Sequence, residues 1–210
     1  MEDIIIIPYL INLVLLAMIH YYHKDLIPSV LQSSISYNVA GKLIRERKNI
    51  KTAGSFFLNF IFFVSGSIFI AQILIRYVPE AKEAKLMVLA FYAFIPLFLI
   101  LILNKSANYL SGKVFRLDDM RKEYNRSINF YNQVLGLVLF PVTVMVSYSG
   151  FSQIALYVGI IASILCYLLR IARLMKINFV KQIDIFYMFL YLCTLEIIPV
   201  LYIIKTLSIL

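Results

Sequence analysis

Residues 55–75 read Ser55-Phe56-Phe57-Leu58-Asn59-Phe60-Ile61-Phe62-Phe63-Val64-Ser65-Gly66-Ser67-Ile68-Phe69-Ile70-Ala71-Gln72-Ile73-Leu74-Ile75, between Lys51 and Arg76. The stretch carries no formal charge. A helix needs about 20 apolar residues to cross the hydrocarbon core of a bilayer. Water is absent there, so the backbone must pair its own N–H and C=O groups, as a helix does. The stretch reads as a transmembrane helix, and its character recurs along the chain.

Five more such runs can be drawn, at 4–22, 86–103, 134–151, 153–169 and 185–204. Only Tyr148-Ser149-Gly150-Phe151-Ser152 turns the chain between the fourth and fifth spans, which predicts a tight antiparallel hairpin. The expected fold is all-α, a polytopic membrane helix bundle of six transmembrane helices forming a single domain over 1–210. The composition agrees: 62% of the residues are hydrophobic, against about 45–50% in soluble domains. The N-terminus carries Glu2 and Asp3 rather than the positive charge of a secretory signal, so the first run reads as a retained span.

Sixteen of the 20 Lys and Arg residues lie in three connecting segments, 21–54, 105–133 and 170–184. The other side of the bundle has only Arg76, Lys82 and Lys85 in its longer loop, offset by Glu80 and Glu83. Cytoplasmic loops carry the excess of basic residues. The three basic segments therefore read as cytoplasmic, with both termini on the periplasmic side. The net charge of +9 then reflects topology and attraction to anionic lipid rather than nucleic-acid binding.

Two of these segments show helical periodicity. Ile27, Leu31, Ile35, Val39 and Leu43 recur every four residues, and Leu117, Met120, Tyr124, Ile128 and Tyr131 follow a similar spacing. Residues 27–44 and 114–131 are expected to be amphipathic helices on the cytoplasmic interface. Arg45, Arg47, Lys48, Arg121 and Lys122 would form a basic surface able to dock a partner.

Glu196 is the one acid inside a span core. A charged acid there costs about 3 kcal/mol on insertion scales. It reads either as a hydrogen-bonding strut between helices or as a proton, ion or substrate site. Counting rise per residue from the span ends puts Ser65, Ser67, Tyr92, Thr143 and Tyr157 near its depth, with Tyr9 close to that level. Ser67-xxx-Ala71 and Gly159-xxx-Ser163 have the small-residue spacing of close helix contacts. Pro8, Pro96, Pro141 and Pro199 interrupt spans and are expected to be accommodated locally.

Other chemistry is weakly signalled. His20 and His23 lack further ligands, so no metal is expected. Asp118-Asp119 has no second acidic motif and reads as a solvated helix face. Cys166 and Cys193 sit in apolar runs as packing residues. P-loop, zinc-protease and nucleophile-elbow motifs are absent, and no cofactor is implied.

Three strings carry a resemblance: His23-Lys24-Asp25-Leu26-Ile27-Pro28-Ser29, then Asn59-Phe60-Ile61-Phe62-Phe63-Val64-Ser65-Gly66, then Phe189-Leu190-Tyr191-Leu192-Cys193-Thr194-Leu195-Glu196-Ile197-Ile198-Pro199. Together they resemble a family of uncharacterised integral membrane proteins of Bacteroidota, catalogued as a domain of unknown function. The resemblance implies a bacterial inner-membrane location and no particular activity. The expected role is a non-enzymatic inner-membrane subunit or scaffold of a cell-envelope assembly, with the lipid bilayer and a protein as partners. A small proton- or ion-coupled transporter centred on Glu196 is the alternative, and a lipid-modifying enzyme the third reading. The topology predicts that reporter fusions after Lys48, Lys113 and Lys176 report cytoplasm and a fusion after Glu83 the exterior; a cytoplasmic signal at Glu83 would overturn it.

Overall fold

In the computed structural model the described residues are 3–22, 52–79, 85–114 and 118–180. They form five helices: α1 (Asp3–Tyr22), α2 (Thr52–Tyr77), α3 (Leu86–Val114), α4 (Asp118–Tyr148) and α5 (Ser152–Val180). Four segments are long and apolar enough to cross a membrane: Gly54–Tyr77, Leu86–Leu103, Ser127–Tyr148 and Ser152–Arg173. The apolar part of α1, Ile6–Tyr22, is shorter. The chain is a polytopic, all-helical membrane protein. The expected sixth span and the amphipathic segment 27–44 lie outside the described residues.

Helices run past the spans drawn from hydropathy. Residues 118–131 are helical as expected, yet they are no separate interfacial helix: α4 continues unbroken to Tyr148. Neither Gly nor Pro occurs between Asp118 and Leu135, so nothing local ends the helix there. Its apolar residues Ile128, Phe130 and Tyr131 are buried, and the last two pack with Ile19 and Leu58 inside the bundle instead of facing headgroups. The basic segment after 169 is corrected in the same way. α5 continues to Val180 and Arg173 is buried. Pro8, Pro96 and Pro141 all lie within continuous helices.

The four long spans divide into an inner and an outer pair. About half of each inner span is buried, 56% for α2 and 50% for α4, against 11% for α3 and 17% for α5. Hydrophobicity does not drive helices together in lipid, so close packing and interhelical hydrogen bonds must do so. Gly136 supplies the closest approach. A Cβ there would lie 2.6 Å from the Cα of Phe62, so only glycine allows α4 this near the α2 backbone. Leu58 and Ile61 meet Phe130, Tyr131 and Val134 at one level, and Phe69 meets Leu139 and Val142 at another, so α2 and α4 run parallel.

The outer helices pack antiparallel onto this pair. On α3, Phe94 and Phe98 each lie 5.6 Å from the Phe63 ring of α2, and Leu97 covers Gly66. On α5, Gly159 faces Phe69 and Val142. α1 is also antiparallel to α2, with Ile19 beside Leu58 and Tyr9 beside Ala71. The remaining faces of α3 and α5, including Phe91, Ile95, Leu99, Ile154, Ile161 and Leu168, are exposed and apolar, as contact with lipid requires. The ends of the helices separate accordingly. Tyr77, Leu86, Tyr148 and Ser152 share one end with Tyr9, and the helix ends that lead into the three basic segments share the other.

Gly136→Ala is expected to lower stability by about 1–3 kcal/mol through overpacking. Gly150→Ala, where a Cβ meets nothing within 4 Å, serves as the neutral control. Thermal unfolding in detergent followed by far-UV circular dichroism measures both, since the chain has no Trp.

Candidate functional site

Polar side chains inside a bilayer are costly unless they pair with one another. The core of the bundle pairs them in layers. Nearest the basic end, Gln133 of α4 donates from Nε2 to the Ser55 hydroxyl at 2.6 Å and to its carbonyl at 3.3 Å. Farther along α2, Asn12 of α1 donates to the Ser65 hydroxyl at 3.3 Å, and both residues are fully buried. The third layer is the richest. Gln72 Nε2 of α2 lies 3.0 Å from the Thr143 carbonyl, 2.9 Å from Ser147 Oγ and 3.4 Å from the Tyr9 hydroxyl. The Tyr9 hydroxyl lies 2.8 Å from Ser147 Oγ and 3.2 Å from the Thr143 carbonyl. Three helices are thus tied at one point.

These layers leave acceptors over. The side-chain oxygens of Asn12, Gln72 and Gln133 are buried without a hydrogen-bond partner among the described residues. Above the third layer, the bundle end opens into a cleft of about 270 Å³. Gln72 and Ser147 line its floor, and Arg76, Tyr148, Ser152 and Gln153 are among its other lining residues. Ile75, Leu86, Val146 and Leu156 supply apolar walls. At the opposite end of the bundle Arg173 is 7% exposed, and its guanidinium lies 5.9 Å from the Phe130 ring centre and 6.0 Å from that of Tyr131. Cation–π contact of this kind is worth up to about 2 kcal/mol when desolvated.

The residues expected to share one depth are not gathered at one place. Ser65, Ser67 and Thr143 are buried in the core. Ser65 meets Asn12, Thr143 meets Gln72 through its carbonyl, and Ser67 bonds back to the Val64 carbonyl at 3.0 Å. Tyr92 and Tyr157 point outward, at 68% and 51% exposure. Buried Ala90 and Ala93 turn α3 so that position 92 faces away from the bundle, and buried Ala155 and Leu156 do the same on α5. The Tyr157 hydroxyl is engaged with that of Tyr77. Glu196, Arg45, Arg47 and Lys48 lie outside the described residues, as do the side chains of Arg121 and Lys122 in the first turns of α4. Among the described residues no three His, Cys, Asp or Glu side chains come together.

Sequence reasoning passed over Gln72, Asn12, Gln133 and Ser147. For Asn12 and Gln72 the amide was the signal, a large polar group in a run otherwise made of aliphatic, aromatic and small residues, whereas Gln133 lies in the polar segment just before its run. The spacing of Gln72 and Arg76, four apart on one helix, also places them on one face. Gln72→Leu is expected to cost about 1–2 kcal/mol, on the scale of interhelical hydrogen bonds in membranes. A cycle with Ser147→Ala, followed by thermal unfolding in detergent, should give a favourable coupling of about 0.6 kcal/mol or more; strict additivity would remove the bond from the stability of the bundle.

The family described as Domain of unknown function (DUF4271) matches residues 5–207. No curated protein and no solved structure matches the chain.

Proposed function

The chain belongs to the DUF4271 family, and we propose that it is a non-enzymatic subunit or scaffold of an assembly in a bacterial inner membrane. The close seating of α4 on the α2 backbone at Gly136 carries this reading. An inner pair packed to backbone contact suits a rigid platform better than a path that must open and close. In this reading six spans cross the membrane, both termini are periplasmic, and the three basic segments face the cytoplasm. Arg45, Arg47, Lys48, Arg121 and Lys122 then form the surface that docks a cytoplasmic or membrane partner.

A second reading, a small proton- or ion-coupled transporter centred on Glu196, draws on one observation. Buried amide oxygens on Asn12, Gln72 and Gln133 stand without partners among the described residues, at successive levels of the core. Carbonyl oxygens at such levels can coordinate a cation.

Purification in mild detergent separates the two. A scaffold brings down a partner in fixed ratio, and joint substitution of Arg45, Arg47 and Lys48 weakens that recovery, most at low salt where the charges are least screened. Under the same reading Glu196→Gln leaves the assembly intact, whereas Glu196→Leu weakens it. A chain that purifies alone and carries proton or cation flux in proteoliposomes, lost in Glu196→Gln, would sink the scaffold.

A further inference from the structure

We draw no further inference here: the strongest candidate, the side-chain cluster at the basic end of the bundle in which buried Arg173 lies over the rings of Phe130 and Tyr131, carries nothing, because nothing among the described residues shows what else covers its guanidinium.

Discussion

The contact between Gly136 and the Phe62 backbone governs the rest of the bundle. In water, burial of Phe and Leu would press helices together regardless of fine shape. In lipid the tails offer the same apolar contact, so association depends on short range packing and hydrogen bonds. A missing Cβ lets α4 rest on the α2 backbone. That closeness brings the Ser55 and Gln72 side chains of α2 within reach of α4. A Cβ at position 136 would move α4 outward and stretch the bonds of Ser55 and Gln72 to α4.

The polar layers follow from this geometry and share one asymmetry. Asn12, Gln72 and Gln133 all use their amide nitrogens across helices and leave their oxygens without partners among the described residues. Their neighbours are hydroxyls and a carbonyl, which are good acceptors.

The two ends of the bundle differ in chemistry. At one end Arg173 is held over Phe130 and Tyr131, so part of the basic surplus is built into the core instead of being left at the surface. At the other, Arg76 stands at the rim of a cleft where two helices finish and one begins. The first end combines positive charge with aromatic packing. The second sets the ends of α2 and α4 beside the start of α5.

Hydropathy alone was enough to identify the chain as a membrane protein and to locate α2 and the start of α3, because crossing a bilayer demands length and apolar character that any window of sequence displays. The short turn at 149–151 was legible too, since Ser149, Gly150 and Ser152 interrupt two apolar runs. The limits of α4 and α5 were not. Hydropathy detects where lipid contact ends, and these helices run on past it, with Phe130, Tyr131 and Arg173 covered by other helices rather than by water or lipid. Tyr9 and Thr143, counted to similar depth, do meet through the Tyr9 hydroxyl and the Thr143 carbonyl. Tyr92 and Tyr157 lie on exposed faces, a feature depth counting does not reach, because rise per residue measures height and contains no information on rotation about the helix axis. Rotation is decided by which small residues a neighbour presses against: Ala90 and Ala93 on α3, Gly159 on α5. Those contacts exist only once the helices have packed, and they are what set Gln72, Ser147 and Arg76 around a single cleft.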